Sequence, residues 1–184
     1  TNKTNGQSQW RTNTNVTVTS GPGVGDGIVV IGSRKGDVIA LNQQNGSVRF
    51  KTSVNGEVIA KPAIANNVVV IKTVDGNIHA LSANDGHEVW GYQQAEPSLI
   101  LRGSSSPLIS GNNLFAGFAN GTLSKLNLST GQLDWSQPIA SAEGAFSIQR
   151  MIDINADPII YQHRIFAATF QGNIASLSWN SGEI

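Results

Sequence analysis

Short stretches of alternating apolar and polar residues follow one another along this chain, separated by glycines. From Gly76 the alternation runs through Ile78 and Ala80, as expected of a strand with one buried face. An Asp-Gly dipeptide ending at Gly86 favours a tight turn, because glycine accepts the positive φ that such turns require. A second short strand then leads to Trp90. The pattern predicts a β-hairpin.

The hairpin occurs four times in a regular register. In every copy the two glycines lie ten residues apart, and a proline lies fourteen residues before the first glycine. The glycine pairs begin at Gly36, Gly76, Gly121 and Gly172, and the prolines are Pro22, Pro62, Pro107 and Pro158. A repeat of this length with strand–turn–strand content predicts a β-propeller and is too long for a hexapeptide β-helix.

Each repeat predicts a four-stranded antiparallel blade in an all-β protein. One strand follows the proline, a nearly continuous apolar strand such as residues 28–33 comes next, and the hairpin supplies the last two. About four blades are expected in a partial β-propeller that spans residues 1–184. The boundaries assign residues 1–20 to the end of a preceding blade, 21–60, 61–105 and 106–156 to complete blades, and 157–184 to an incomplete blade.

The aromatic residue that ends each hairpin is expected to pack between blades. It is Trp10, Phe50, Trp90 or Trp135, always at the same repeat position, whereas Trp179 lies outside this register. Both ends of the chain fall inside a repeat, although a propeller is closed by pairing its first and last blades. We therefore expect a piece of a longer repeat protein, whose open blade edges would let two copies associate.

All variation in repeat length falls in one type of connection. From the aromatic residue to the next proline the spacing is 12, 12, 17 and 23 residues. The first long connection is residues 91–106, and the second long connection is residues 136–157. We expect the two to be neighbours, because insertions at equivalent points map to one face of a repeat protein, often its binding face.

Both long connections carry apolar residues beside charged ones. Residues 97–103 read Pro-Ser-Leu-Ile-Leu-Arg-Gly, and residues 146–157 combine apolar side chains with an arginine and two aspartates. Such a composition on an exposed loop suits a protein–protein contact. In the alternative interpretation, four apolar residues pack into the top of the ring: Leu99, Leu101, Ile152 and Ile154.

Composition excludes several classes of partner and chemistry. Twelve basic residues balance twelve acidic ones, which leaves no electrostatic footprint for nucleic acid or an anionic membrane. The sequence contains no apolar run long enough for a transmembrane helix and no signal peptide pattern. The absence of cysteine excludes disulfides, thiolate chemistry and cysteine-held metals.

Catalytic and metal-binding motifs are also missing from the sequence. His79, His87 and His163 occupy different repeat positions without ligand spacing, and no Gly-x-Ser-x-Gly elbow occurs. The segment from Asp153 begins like a calcium loop, but Pro158 stands where that loop needs glycine. We expect no enzyme activity, no metal and no cofactor.

The repeat Gly-x-(Ile/Val/Leu)-x-Ala-Leu, followed by Gly-x-x-x-Trp, resembles the pyrroloquinoline-quinone-type propeller repeat. This resemblance implies an architecture rather than a function. Quinoprotein dehydrogenases with such repeats hold their cofactor beside a vicinal disulfide and calcium ligands. The absence of cysteine here therefore argues against cofactor binding.

Residues 97–103 and 150–158 resemble the BamB family, the propeller lipoproteins of the β-barrel assembly machinery in Gram-negative outer membranes. The similarity runs across the whole chain and implies the middle blades of an eight-bladed ring. It implies a non-catalytic scaffold at the periplasmic face of the outer membrane, with a lipidated cysteine upstream. Such a scaffold docks on the POTRA domains of BamA and aids the assembly and insertion of outer-membrane proteins.

The family contacts BamA through a Leu-x-Leu-Arg loop and an adjacent acidic loop. By motif match, the resemblance implies a partner-binding set of Leu99, Ile100, Leu101, Arg102, Asp153, Asn155 and Asp157. Asn155 stands where the family has its second acidic residue, and Asp157 could compensate for the missing charge.

Two functions stay open from the sequence. A scaffold would carry its functional groups on the two long connections, whereas a quinoprotein-like or sensor propeller would bind a small ligand in its central channel. The richness of the long connections favours the scaffold. Capture of unfolded outer-membrane clients by exposed sheet edges is a third mode that the sequence does not test.

Overall fold

The computed structural model describes residues 4–97, 99–141, 146, 148 and 151–184. In these residues the named elements are all strands, grouped in four antiparallel sheets that we call blades 1 to 4. Blade 1 is β1 (Gly23–Gly25), β2 (Ile28–Gly32), β3 (Asp37–Asn42) and β4 (Val48–Ser53). Blade 2 is β5 (Ala63–Ala65), β6 (Val68–Lys72), β7 (Asn77–Ser82) and β8 (Glu88–Gln93).

Blades 3 and 4 continue the same order. Blade 3 is β9 (Leu108–Ser110), β10 (Asn113–Gly117), β11 (Thr122–Asn127) and β12 (Leu133–Pro138). Blade 4 is β13 (Ile159–Tyr161), β14 (Arg164–Ala168) and β15 (Ile174–Ser178). The predicted all-β propeller with four-stranded blades is therefore confirmed for blades 1 to 3, and blade 4 has three strands in the described part of the chain.

The hairpins have one design in all three complete blades. Each has a register shift at the same point, between Ala40 and Leu41 in blade 1 and at the equivalent residues of blades 2 and 3. The turn that follows closes when the Gly46 N–H donates to the Asn42 carbonyl at 2.9 Å. The side-chain oxygen of Asn42 also accepts from the N–H of Gln44, which fixes the turn from within.

The hydrophobic core lies between neighbouring blades. Blade 1 contributes Ile28, Val30 and Val38 to a buried cluster that blade 2 completes with Val69 and Ile71. Blades 2 and 3, and blades 3 and 4, form clusters of the same kind. The β2-type strands of blades 2 and 3, β6 and β10, can be apolar on both faces, since a blade stacks on each side of them.

The regular spacing of glycine and aromatic residues among the repeats creates a joint between blades, in which an aromatic ring of one blade packs on a glycine of the next. The ring of Trp90, at the end of blade 2, lies against Gly131 in the hairpin turn of blade 3, where a Cβ would come within 2.5 Å of the Trp90 ring. The indole N–H of Trp90 donates to the Leu128 carbonyl at 2.8 Å. The predicted packing of this aromatic position between blades is thereby confirmed.

The same joint recurs at the other aromatic positions. The pairs of aromatic residue and glycine are Trp10 with Gly46, Phe50 with Gly86, and Trp135 with Gly182. Trp179, outside the register, packs edge-on against Phe115 with ring centroids 4.9 Å apart.

Residues 4–20 contain no named strand and make one isolated bridge, between Val18 and Ser33. Their assignment to the end of a preceding blade stays a prediction, as do the other domain boundaries. In the described residues, no helix is long and apolar enough to cross a membrane.

Candidate functional site: the two long connections

The two long connections touch one another through specific hydrogen bonds. The N–H of Leu101 donates to Oδ1 of Asp153 at 2.8 Å, and the N–H of Ser106 donates to Oδ1 of Asp157 at 2.6 Å. Gly103 also lies against the side chain of Asn155, so closely that a Cβ would come within 3.0 Å of it. Four residues of the predicted partner-binding set, Leu101, Asp153, Asn155 and Asp157, therefore lie where the two connections meet, and Leu99, Ile100 and Arg102 belong to the same loop as Leu101.

The first long connection presents its apolar and basic side chains unequally. Leu99 is 48% exposed and the side chain of Arg102 is 61% exposed, whereas Ile100 and Leu101 are half-buried. Ser98 lies outside the described residues. An exposed leucine near an exposed guanidinium is the combination that a protein partner can use as an anchor.

The second long connection differs from the sequence expectation of an exposed acidic loop. Ile152, Asp153 and Ile154 are all buried, with exposed fractions of 5%, 1% and 1%. The alternative interpretation, packing into the ring, is therefore confirmed for the two isoleucines. Arg150 and residues 142–145, 147 and 149 lie outside the described part of the chain, while Phe146 and Ile148 are exposed.

Asp153 holds the first long connection in place through a hydrogen bond to its backbone. Its Oδ1 accepts from Leu101, and its Oδ2 is a buried oxygen without a hydrogen-bond partner in the structure. Burial raises the pKa of the Asp153 carboxyl, against the opposing effect of the Leu101 N–H. Asp157 is exposed and Asn155 half-buried, so these two lie nearer the surface than Asp153.

The sequence analysis did not single out two ionisable residues at this site, Lys72 and Glu96. Lys72 is 4% exposed; its ammonium donates to the Gly117 carbonyl and lies 5.4 Å from the centre of the Phe118 ring. Burial lowers the pKa of Lys72 to about 8, and Glu96, Asp157 and Asp153 oppose that shift.

Glu96 fastens the start of the first long connection to blade 3. Its carboxylate accepts from the N–H groups of Ala119 at 3.2 Å and Asn120 at 3.1 Å, and the side-chain amide of Asn120 donates back to the Ala95 carbonyl. Burial raises the pKa of Glu96. The sequence does mark Lys72 as an exception. It lies four residues before the hairpin glycine, a position that is Gly32 in blade 1 and Gly117 in blade 3.

The histidines make local contacts. His79 Nδ1 lies 3.3 Å from Glu88, and His87 Nδ1 lies 2.7 Å from Asp85 two residues away. His163 has a positive φ in the turn between β13 and β14. In the part of the chain that the structure describes, no group of three or more His, Cys, Asp or Glu residues could hold a metal ion.

These features define a class first: a segment of a β-propeller built from pyrroloquinoline-quinone-like repeats, with two adjoining long connections on one rim. The family model described as outer membrane protein assembly factor BamB matches residues 1–184. The chain belongs to the BamB family.

Individual relatives agree with this membership. A BamB from Yersinia pestis is 34% identical over 183 residues, which is 100% of this chain and 36% of the relative. A BamB from Nitrosomonas eutropha is 32% identical over 177 residues, 96% of this chain and 43% of the relative. The chain thus spans less than half the length of these relatives.

Among solved structures, BamB from Moraxella catarrhalis superposes with a TM-score of 0.90 at 29% identity, covering 95% of this chain and 54% of that one. A quinohemoprotein alcohol dehydrogenase from Comamonas testosteroni superposes with a TM-score of 0.72 at 16% identity, covering 91% of this chain and 34% of that one. The second likeness extends to the fold alone. It shows how widely the propeller repeat is shared by proteins of different function.

Proposed function

We propose that this chain is the partner-binding part of a non-catalytic scaffold subunit in outer-membrane protein assembly. It docks on the POTRA domains of BamA through Leu99, Ile100, Leu101 and Arg102 of the first long connection. The observation that carries the proposal is the buried Asp153 bond to the Leu101 N–H, which fixes this loop on the rim of the propeller in a family of assembly factors.

Asp153 takes part by positioning the loop. With 1% of its surface exposed, its carboxylate reaches the Leu101 backbone and no partner in solution. Asn155 and Asp157 flank the loop from the second long connection, and Asp157 holds the Ser106 N–H. The partner surface consists of Leu99 and Arg102 at its centre, with Asn155 and Asp157 at its margin.

The intact protein works, in this proposal, at the periplasmic face of the outer membrane, where a lipid anchors it. Extended segments of unfolded outer-membrane clients are a second class of partner and would pair with exposed sheet edges. Fractionation of cells that carry the intact protein would check the location. Recovery with the cytoplasmic fraction would contradict it.

Docking is tested by titrating the chain with purified POTRA domains of BamA. Arg102→Ala and Leu99→Ala should each weaken binding by about tenfold or more, since anchors at the centre of an interface are worth about 2 kcal/mol. Leu133→Ala is the matched control for Leu99, because Leu133 is 42% exposed at the start of β12 and belongs to neither long connection.

Wild-type affinity for both Leu99→Ala and Arg102→Ala would reject this docking loop. A fragment can lose affinity for reasons of its own, so the titration is repeated with the intact protein. Failure of the intact wild-type protein to bind would reject the proposed function as a whole.

Self-association of the chain is a further part of the proposal. Ile174 is 78% exposed on β15, whereas Val38, Ile78 and Leu123, at the same repeat position, are completely buried under the next blade. A second copy of this chain would cover that face by placing a blade on it. Light scattering should give a dimer that Ile174→Lys dissociates; a monomer at every concentration would contradict the idea.

A further inference from the structure

Two arginines, Arg34 in the turn between β2 and β3 and Arg102 in the first long connection, converge on the carboxylate of Glu57. Nη2 of Arg102 lies 2.5 Å from Oε1 of Glu57, and Nε of Arg34 lies 3.6 Å from the same oxygen. The guanidinium groups are exposed, with 67% of the Arg34 side chain and 61% of the Arg102 side chain accessible, whereas Glu57 is 21% exposed. Glu57 therefore aligns two cations at the surface while it stays below them.

The shared carboxylate leaves most of the binding capacity of both arginines unused. Each guanidinium has five N–H donors, and Glu57 offers one oxygen to both. Lys35, next to Arg34 in the same turn, is also exposed. The nearest acid in that turn, Asp37, accepts from the Ser33 hydroxyl at 2.5 Å. The N–H donors that Glu57 does not use are therefore what the two guanidinium groups offer to a partner.

The fold does not require a cation at the position of Arg34. Arg34 lies two residues before the hairpin glycine, and the equivalent residues in the other blades are Val74, Ala119 and Phe170. The turn therefore forms equally well around apolar side chains. Blade 1 is the blade with an arginine at this position. The connection that follows blade 1 supplies Glu57, and the Glu57 carboxylate also contacts Arg102.

We propose that Arg34 is a second anchor of the docking surface and extends it from the first long connection onto blade 1. The partner that fits is a folded protein surface with two carboxylates, one for each guanidinium, beside an apolar contact for Leu99. Arginine binds carboxylates with two parallel hydrogen bonds, which fixes the orientation of the partner as well as its position. This inference rests on the proposed docking function.

The test compares single variants with the wild type in their affinity for the POTRA domains of BamA, measured with the intact protein at low and at high salt. Arg34→Ala should weaken binding about fivefold, the size of an exposed ion pair. The loss should shrink at high salt, because exposed charges are screened over about 8 Å at physiological ionic strength. Thermal unfolding of each variant verifies that the fold is retained.

Lys51→Ala is the control for charge alone. Lys51 is an exposed cation of the same blade, on the outermost strand β4. An equal loss of affinity in Arg34→Ala and Lys51→Ala would mean a general charge effect and would overturn the second anchor. Wild-type affinity for Arg34→Ala, with weakened binding by Arg102→Ala, would overturn the second anchor and leave the docking function intact. Failure of the wild-type protein to bind would overturn both.

Discussion

Between blades 1 and 2 the short connection, residues 54–61, is held to the fold by its backbone and by one apolar side chain. The N–H of Val58 donates to the Ser33 carbonyl at 3.1 Å, the Glu57 carbonyl accepts from the N–H of Val74 at 3.0 Å, and Val58 fills the space above Gly32. Between blades 2 and 3 the described residues of the first long connection lack this arrangement. The N–H of Gln94 donates to the Gly76 carbonyl at 3.2 Å, and the other anchors are side chains.

The second long connection shows that length alone does not cause the difference. It is longer still, yet the N–H of Ile154 donates to the Phe118 carbonyl, the Asp153 carbonyl accepts from the N–H of Phe170, and Ile154 lies on Gly117. The final residues before each proline thus keep one backbone structure in these two connections. Their extra residues are accommodated upstream.

In the first long connection the N–H of Ala119 donates to the Glu96 carboxylate instead of to a backbone carbonyl. Lys72 occupies the position that is glycine in blades 1 and 3, and Gly103 stands where Val58 and Ile154 stand in the other connections. The large side chain is therefore on the strand and the small residue on the connection, the reverse of the arrangement at the other two connections. A loop held by ionisable side chains can be altered by substitution without disturbing the strands, which is consistent with the docking role proposed for it.

The largest expected effect comes from the charge of Lys72. Its folded-state pKa of about 8 lies below the ordinary value of 10.5, so between these pH values the unfolded chain binds a proton that the folded chain does not. Stability from this group therefore rises with pH through that interval and is lost as pH falls through about 8. At about 1.4 kcal/mol per pKa unit, the change is roughly 3 kcal/mol.

Lys72→Met should therefore be more stable than the wild type at pH 7, and this advantage should vanish towards pH 10.5. Chemical unfolding at steps of pH measures the difference between the two proteins, in which other titrations cancel. A pH-independent difference would contradict the buried-cation account.

The steric arrangement of the short connection gives the next effect. In Gly32→Ala the new Cβ would lie 2.3 Å from Cγ1 of Val58, so the free energy of unfolding should fall by about 2 kcal/mol, as for other overpacked cores. Adding Val58→Ala should recover part of this loss, because it makes room for the methyl group. Additive destabilisation in the double mutant would show that the two residues do not share this space.

Removal of the Asp153 carboxylate should loosen the first long connection more than the fold. Asp153→Ala leaves the Leu101 N–H without its acceptor, a cost of about 1–2 kcal/mol that falls on the loop. Hydrogen exchange at Leu101 should accelerate about tenfold or more, while amides in β6 and β10 keep their protection. Asp153→Asn, which retains an acceptor oxygen, is the matched control. Unchanged exchange in Asp153→Ala would mean that the loop has other anchors.

The smallest effect is expected at the joint between blades 2 and 3. Trp90→Phe keeps an aromatic ring over Gly131 but removes the N–H that donates to Leu128, which should cost about 1 kcal/mol. Phe50 fills the same position in blade 1 without such a donor. Thermal unfolding measures the loss. A loss as large as that of Trp90→Ala would contradict this expectation, because it would mean that a phenyl ring packs on Gly131 no better than a methyl group does.

Much of the fold follows from the spacing of glycine, proline and aromatic residues, because each has a local physical cause. Gly86 and its equivalents adopt the positive φ of a turn, and the alternation after Gly76 gives the strand and its buried face. The adjacency of the long connections also follows from the register. The turn and strand signals lie within one repeat, whereas the propeller and the adjacency of the long connections follow from comparing the repeats.

The anchors of the candidate site could not be predicted in the same way. Asp153 has the sequence context of an exposed acidic loop, and its burial depends on a connection that folds back from another blade. Glu96 is likewise an ordinary surface residue until its carboxylate meets the turn of blade 3. Lys72 stands at a repeat position that is glycine in blades 1 and 3, so the sequence does show an exception there. It does not show which groups contact Lys72.

The packing of an aromatic ring on a glycine has a consequence for the evolution of such repeat proteins. Each joint needs one ring from one blade and one missing side chain from the next, as at Trp90 and Gly131 or Trp135 and Gly182. Blades 1 to 3 therefore each carry an aromatic ring that packs on the next blade and a glycine that receives the preceding ring. Duplication or deletion of the gene segment for one repeat would preserve both the ring and the glycine. Such repeat proteins can therefore gain or lose whole blades while the contacts between blades stay the same.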